Sequence, residues 1–176
     1  MVYIDRYLYA FDLGMSSPAL TIFNIDTHEP VMVTSIQTND KDTHGQRLGV
    51  IREYFLSFIN EYTPYEIAIE RGFSRFNTST QVTFRVHGVI NEAFKDCKQF
   101  YYPPKSVKES IVMGNSSKEV VRKAIEKRYT DIEFTNEDES DSFAVGITHL
   151  IKCHGMKWEK FKPEKKTKKK NTTKEK

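Results

Sequence analysis

Two carboxylates in this sequence stand at the ends of apolar segments that have the composition of buried β-strands. Asp12 lies at the end of the apolar run at residues 7–13, and Glu70 follows the short apolar run at residues 67–69. A buried charge at such a place is costly unless it is paired or binds a cation. Because ligands of mixed α/β sheets bind beyond the strand ends, the two acids would face each other if their strands are neighbours.

Asp138 and Asp141 form a second pair of acids, three residues apart at the start of a predicted helix. This spacing places both on one helix face, near the positive end of the helix dipole. If that helix packs beside the first strand, the four carboxylates converge into an all-oxygen site that suits Mg²⁺ or Mn²⁺. Taken singly, each acid also has a plainer interpretation: a turn residue for Asp12, an ion pair with Arg71 for Glu70, a helix-start acid for Asp138.

The elements that must position these acids follow from the hydrophobic periodicity of the chain. Three β-rich segments separated by turns predict an antiparallel meander: residues 7–13, 20–25 and 31–37. Helical spacing then alternates with short apolar runs, which predicts a helix at 44–62, a strand at 66–70, a helix at 78–95, a strand at 100–102, and helices at 107–112, 118–129 and 136–153. Asn136 is expected to start the last helix, and Ser116 or Ser117 to cap the one before it.

This order of elements predicts an α/β fold with a mixed five-stranded sheet, in which three antiparallel strands are followed by parallel strands and flanked by helices. The charge is unevenly distributed over it. Residues 157–176 contain ten lysines and three glutamates, so residues 1–156 carry −4 although the whole chain carries +3. We therefore predict one domain at residues 1–156 and a Lys-rich, disordered tail at residues 157–176. Its lysines either neutralise nucleic-acid phosphates or only keep the chain soluble.

Composition argues against several other classes of protein. No apolar run approaches the roughly 20 residues that span a bilayer, and the N-terminus lacks a signal-peptide pattern, so we expect a cytoplasmic protein without a membrane partner. Cys97 and Cys153 match no metal-binding spacing, which disfavours zinc and leaves carboxylates as the expected metal ligands. Eight glycines and a single domain disfavour an actin-like or sugar-kinase-like ATPase, although such proteins also open with a strand and Asp-x-Gly.

Four segments of the chain, in this order, resemble the RuvC family of Holliday-junction resolvases, which have an RNase H-like fold. The segments are AFDLGMSSPALTIFN (residues 10–24), AIERGFSRFNTSTQV (68–82), PPKSVKESIVMGNSSKEVV (103–121) and DESDSFAVGITHL (138–150). The chain departs from the family pattern at Arg75 and Phe76, where a small residue and a lysine are commoner. Together with the basic tail, this departure suggests a diverged, phage-borne member that acts in the host cytoplasm.

The resemblance also implies the roles of individual residues. It assigns catalysis to four acids that bind two Mg²⁺ or Mn²⁺ ions and to two lysines near the scissile phosphate: Asp12, Glu70, Asp138, Asp141, Lys108 and Lys118. It matches Phe73 to an aromatic residue that contacts unstacked bases near the junction centre. The other candidate DNA contacts are basic or aromatic: Arg71, Arg75, Phe76 and Lys105. Phe73 and Phe76 lie in a polar loop, where they either stack on bases or cover the edge of the core.

The activity that the resemblance implies is a metal-dependent DNA endonuclease that resolves four-way (Holliday) junctions by paired symmetric nicks and two-metal hydrolysis. A junction with two strands to cut suits a two-fold homodimer, and the helix at residues 78–95 is the candidate interface unless its apolar stripe is ordinary core. Two other interpretations stay open: an RNase H-like nuclease that acts on other branched DNA or on RNA–DNA hybrids, and a non-catalytic branched-DNA-binding module.

Overall fold

The computed structural model describes residues 5–72, 78–113 and 116–162, except the side chains of residues 78 and 79, and contains five strands and five helices in those ranges. The strands are β1 (Tyr7–Asp12), β2 (Ala19–Asn24), β3 (Pro30–Ser35), β4 (Pro64–Glu70) and β5 (Lys98–Tyr102). The helices are α1 (His44–Leu56), α2 (Thr78–Ala93), α3 (Pro104–Ile111), α4 (Lys118–Arg128) and α5 (Glu137–Cys153).

The five strands form one mixed sheet in the order β3-β2-β1-β4-β5. Strands β1, β2 and β3 are an antiparallel meander, whereas β4 pairs parallel with both β1 and β5. This topology confirms the predicted mixed α/β architecture and makes β1 the central strand. Since β1 and β4 are parallel neighbours, with Phe11 opposite Ile69, the last residues of the two strands, Asp12 and Glu70, lie at the same edge of the sheet.

Side chains that alternate along β1 fill two cores, one on each face of the sheet. Leu8 and Ala10 belong to the core formed with α3, α4 and α5, whereas Tyr9 and Phe11 belong to the core formed with α1 and α2. All four are fully buried. This two-sided burial explains why β1 is a continuous apolar run in the sequence, and why a partly buried acid at its end stands out.

Two local features differ from the predictions. α1 ends at Leu56 rather than near residue 62, and the apolar residues that prolong its helical spacing pack against the core from the turns that follow: Phe58, Ile59 and Tyr62. Ser117 stands at the N-cap of α4, but its side chain makes no capping hydrogen bond, and the Ser116 hydroxyl donates instead to the Met113 carbonyl (3.3 Å).

The segment that follows α5 packs against the domain as far as it is described. Trp158 donates its indole N–H to the Ile111 carbonyl (3.0 Å), and Phe161 forms an isolated parallel bridge with Val112. Residues 163–176 lie outside the described ranges, so the domain boundary at residue 156 stays a prediction. Within the described ranges, no helix is long and apolar enough to cross a membrane.

Candidate active site

Asp12 and Glu70 line one open cleft of about 240 Å³ at the edge of the sheet where β1 and β4 end. Asp138 lines the same cleft from the first turn of α5. Asp141, one turn further along α5, is close enough to Asp12 and Glu70 for its charge to act on both. The structure therefore brings together all four acids that the sequence singles out.

Capping of α5 fixes the positions of its two acids, Asp138 and Asp141. The Asn136 side chain accepts a hydrogen bond from the Glu139 backbone N–H (2.9 Å), which makes Asn136 the N-cap as predicted. Its amide nitrogen donates to the Ser35 hydroxyl (2.8 Å), which connects the start of the helix to β3. Asp138 and Asp141 thus project from a helix end that is tied to the sheet.

Close packing of α5 on β1 and β2 holds the rest of the helix. A Cβ atom on Gly146 would meet the Phe23 ring at 2.1 Å and the Ala10 side chain at 3.1 Å, so the helix lies nearer to the sheet than any side chain there would permit. A hydrogen bond of 2.8 Å joins the hydroxyls of Thr21 and Ser142. These contacts place the acidic face of α5 beside the end of β1.

The four carboxylates repel one another in a poorly solvated place. Burial, together with the charges of Glu70, Asp141 and Asp138, raises the pKa of Asp12 to about 8. Burial and the charge of Asp141 raise the pKa of Glu70 to about 7, against the smaller opposing effect of two lysines. Asp12 and Glu70 are therefore harder to ionise than isolated carboxyl groups, first because they are buried and then because neighbouring acids carry the same charge.

Two lysines bring positive charge to this cleft. The Lys118 ammonium, at the first residue of α4, donates a hydrogen bond to Asp141 Oδ2 as an ion pair. Although partial burial by itself lowers it, the pKa of Lys118 is raised by Asp141, with Asp12 and Glu70 adding to the effect. Lys108, in α3, is near enough to oppose the rise in the pKa of Glu70.

The donor set fits a hard divalent cation. All four side chains offer carboxylate oxygens, the ligands that Mg²⁺ and Mn²⁺ prefer. Burial first, and then the charges of neighbouring acids, raise the pKa values of Asp12 and Glu70 in spite of the nearby lysines. A bound divalent cation would reverse the local sign of charge and favour the ionised form of every acid in the cleft.

His87 and Thr83 of α2 also line the cleft, although neither is among the site residues expected from the sequence. Burial lowers the pKa of His87, so this imidazole is neutral at pH 7. His87 precedes the core residue Ile90 by three positions and therefore shares its helix face, so the sequence could have indicated its burial but not its place in the cleft. α2 consequently contributes to the cleft as well as to the core.

The predicted DNA contacts have different positions. Arg71 is exposed and lines the cleft directly after Glu70. Lys105 is exposed on α3, where its ammonium lies 3.7 Å from a Glu109 oxygen. The remaining three predicted contacts lie outside the described residues: Phe73, Arg75 and Phe76.

A second group of polar residues lies buried outside the acidic cleft. Glu66 Oε1 accepts hydrogen bonds from both His149 and His154. Burial by itself raises the pKa of Glu66, but the hydrogen bonds from the two histidines outweigh it and hold the pKa below its usual range. No local pattern in the sequence indicates this group, because its members are separated by as many as 88 residues.

The sheet order and the acidic cleft at the ends of β1 and β4 define an α/β protein of the RNase H-like class. Residues 12–149 match the model of the family described as crossover junction endodeoxyribonuclease RuvC. The chain is 31% identical over 154 residues to the protein of that name from Hydrogenovibrio crunogenus, which covers 85% of this chain and 89% of the relative. It is 28% identical to that from Cytophaga hutchinsonii, over 88% of this chain and 80% of the relative. The chain therefore belongs to the RuvC family of enzymes.

Solved structures support the same fold. The structure of T. thermophilus RuvC in complex with a Holliday junction substrate superposes with a TM-score of 0.75 at 16% identity, covering 85% of this chain and 96% of that one. The yeast mitochondrial Holliday junction resolvase superposes with a TM-score of 0.58 at 14% identity, covering 85% and 81%. At these identities the likeness concerns the fold, and it confirms the predicted RNase H-like architecture.

Proposed function

We propose that this chain is a metal-dependent endonuclease that resolves four-way DNA junctions by paired, symmetric nicks. The observation that carries the proposal is the convergence of four mutually repelling carboxylates on one cleft in a chain of the RuvC family: Asp12, Glu70, Asp138 and Asp141. Relatives named crossover junction endodeoxyribonuclease, and the similar T. thermophilus structure that contains a Holliday junction substrate, support the choice of substrate. A module that only binds DNA has no need of such a cleft.

The four carboxylates would hold two Mg²⁺ or Mn²⁺ ions. Asp12 is the proposed shared ligand, because it ends the central strand and its charge interacts with each of the other acids. Glu70 would hold one ion, and Asp138 with Asp141 the other. When bound, such ions supply an activated water, stabilise the leaving oxygen and shield the charge of the phosphate.

Lys118 and Lys108 are proposed to stabilise the negative charge that develops at the scissile phosphate. Lys118 is held in place by Asp141, so its ammonium needs little reorganisation when the substrate arrives. Lys108 adds a second positive charge on the side of Glu70. Both are proposed to be catalytic, and they differ from the exposed Lys105, which is proposed to contact only the DNA backbone.

The junction is proposed to bind across the cleft and the segment that follows β4. Arg71 stands at the cleft, and Phe73, Arg75 and Phe76 follow it in the chain. A homodimer with two active sites matches a junction that has two strands to cut. α2 is the proposed interface: Val86 and Ile90 fill the core, whereas Phe84 is exposed on the same helix.

The proposed function also assigns a role to each part of the chain. Residues 1–156 form the nuclease domain, and the lysines of residues 157–176 supply phosphate contacts that an acidic domain lacks. We also propose that the protein acts in the cytoplasm, which is that of the host cell if the gene is phage-borne.

A cleavage assay with a mobile four-way junction, labelled at one end of each strand, tests the proposal in the presence of Mg²⁺. We expect nicks at symmetric positions in two opposing strands, and much weaker cleavage of an RNA–DNA hybrid and of a splayed duplex. Stronger cleavage of the hybrid or of the splayed duplex would refute junction resolution. Failure of the wild type to cut any of these substrates would support a binding module instead.

The Asp12→Asn variant separates binding from chemistry. It should bind the junction but cut it at least about 100-fold more slowly, which is the loss expected when one preorganised charged group is removed from an active site. Asp96→Asn is the matched control, because Asp96 is exposed and precedes β5, away from the strand ends that carry the cleft. Asp96→Asn should cut at the wild-type rate.

A further inference from the structure

Glu66, His149 and His154 meet near the end of the sheet that is opposite the acidic cleft. Glu66 precedes Glu70 by four residues of β4, or about 13 Å along the strand. His149 follows Asp141 by eight residues of α5, or about 12 Å along the helix. The group is therefore separate from the cleft, although both are built on β4 and α5.

Three side-chain donor atoms converge in this group. The Nε2 atoms of His149 and His154 both lie against Glu66 Oε1, the former at 2.8 Å. One donor atom from each residue lies within 4.8 Å of the other two, and among the described residues no other set of three or more His, Cys, Asp or Glu side chains is so compact. His149 is fully buried and Glu66 nearly so, whereas 18% of the His154 side chain is exposed.

Neighbouring residues hold the imidazole of His149 and the backbone of His154 in place. The Tyr102 hydroxyl is hydrogen-bonded to His149 Nδ1 (2.7 Å), which directs Nε2 of the same ring at Glu66. His154 ends α5 as its C-cap, and its carbonyl accepts a hydrogen bond from His28 Nε2 (3.1 Å). An outer hydrogen bond that fixes the ring orientation is the usual companion of a metal-binding histidine.

We propose that Glu66, His149 and His154 form a binding site for a transition-metal ion of the Zn²⁺ class. Two imidazole nitrogens and one carboxylate oxygen are a ligand set that Zn²⁺ accepts, with its fourth position left to a water molecule. Mg²⁺, which prefers oxygen ligands, is not expected there. The partly exposed His154 gives the ion its route from solvent.

The ion connects two elements that also build the acidic cleft. Glu66 belongs to β4, which ends in Glu70, and the two histidines belong to the C-terminal end of α5. Binding therefore stabilises the folded state, since the unfolded chain does not hold the three ligands together. At a hundredfold excess of free zinc over its Kd, we expect Tm to rise by about 5–10 °C.

Equilibrium dialysis of the EDTA-treated full-length chain against zinc, with excess Mg²⁺ to occupy the acidic cleft, tests the site. We expect one zinc ion per chain, and a Co²⁺-loaded protein with visible absorption bands of four-coordinate cobalt. His154→Ala and Glu66→Gln should each lose the bound ion and the rise in Tm. Tyr102→Phe, which removes the outer hydrogen bond to His149, should weaken zinc binding by about 10–100-fold.

Two control variants locate the ion. His44→Ala alters an exposed histidine at the start of α1 and should keep the zinc, and Asp12→Asn should keep it because the acidic cleft is a separate site. His154 lies at the surface end of the group, so His154→Ala decides the result even if Glu66→Gln fails to fold. Absence of zinc from the wild type, undiminished binding by a folded His154→Ala variant, or loss of zinc in Asp12→Asn would each refute the proposal. None of these outcomes alters the nuclease proposal, which is tested by junction cleavage.

Discussion

Gly146 of α5 lies so close to Phe23 of β2 that a Cβ atom on the glycine would be 2.1 Å from the ring carbon Cε2. Phe23 is fully buried and makes an edge-on contact with Phe143, one turn earlier in the helix, with 4.9 Å between ring centroids. The ring therefore cannot move aside freely, and the distance between α5 and the sheet depends on the absence of a side chain at position 146. That distance also sets where Asp138 and Asp141 stand relative to Asp12.

Gly146→Ala should consequently destabilise the fold and disturb the cleft together. We expect the free energy of unfolding to fall by about 1–3 kcal/mol, the usual cost of overpacking a core, as measured by urea denaturation. Gly49→Ala in α1 is the matched control. A Cβ there meets no atom within 4 Å, so the same substitution should leave stability unchanged or raise it by about 0.4–1 kcal/mol. Equal stability of the two variants would contradict the packing described for Gly146.

Lys118→Ala should slow cleavage much more than it weakens junction binding. The ammonium of Lys118 is paired with Asp141 and acts on Asp12 and Glu70, so its removal takes positive charge from the place where the phosphate docks. We expect the single-turnover rate at saturating junction to fall about 100-fold or more. Lys123→Ala is the control on the same helix, because Lys123 is exposed and paired with Glu119. A loss of affinity without a loss of rate would argue against a catalytic role for Lys118.

The contribution of Asp12 and Glu70 to the stability of the metal-free protein should decrease as the pH rises from about 4 to about 8. Their folded-state pKa values of about 8 and about 7 lie above those of carboxyl groups in the unfolded chain. Their contribution to the free energy of unfolding is therefore fully present below pH 4 and is lost as the pH rises through the folded-state pKa values. Asp12→Asn should remove most of this loss. In EDTA at pH 8.5 we expect the variant to exceed the wild type by at least about 1.4 kcal/mol, the equivalent of one pKa unit. A wild type as stable as the variant under these conditions would show that burial and the neighbouring charges do not raise the pKa of Asp12 as described.

Removal of metal should weaken junction binding as well as abolish cleavage. Residues 1–156 carry −4, and the acids of the cleft lie where the phosphates of the junction are proposed to dock. In EDTA at low salt and at a pH above 8, where Asp12 is ionised, Asp12→Asn should therefore bind the junction several-fold more tightly than the wild type, and Mg²⁺ should abolish the difference. Gel-shift titrations measure both affinities. If the wild type binds equally well with and without Mg²⁺, the lysines of the chain must outweigh the acidic cleft.

Much of the candidate site could be predicted because its signals are local in the sequence. An acid at the end of an apolar run marks Asp12 and Glu70, since the strand and its last residue are neighbours in the chain. The three-residue spacing of Asp138 and Asp141 places them on one helix face wherever that helix lies. The order of strands and helices follows from periodicity for the same reason.

Only the tertiary structure decided which of these local features meet. Three features depend on the packing of elements that are far apart in the chain. β4 lies beside β1, α5 approaches the sheet at Gly146, and Lys118 reaches Asp141. The contribution of His87 to the cleft has the same origin, as does the meeting of Glu66 with two histidines more than 80 residues away. Periodicity specifies which face of an element is apolar, but the choice of its neighbour is made by the shape and burial of the whole core.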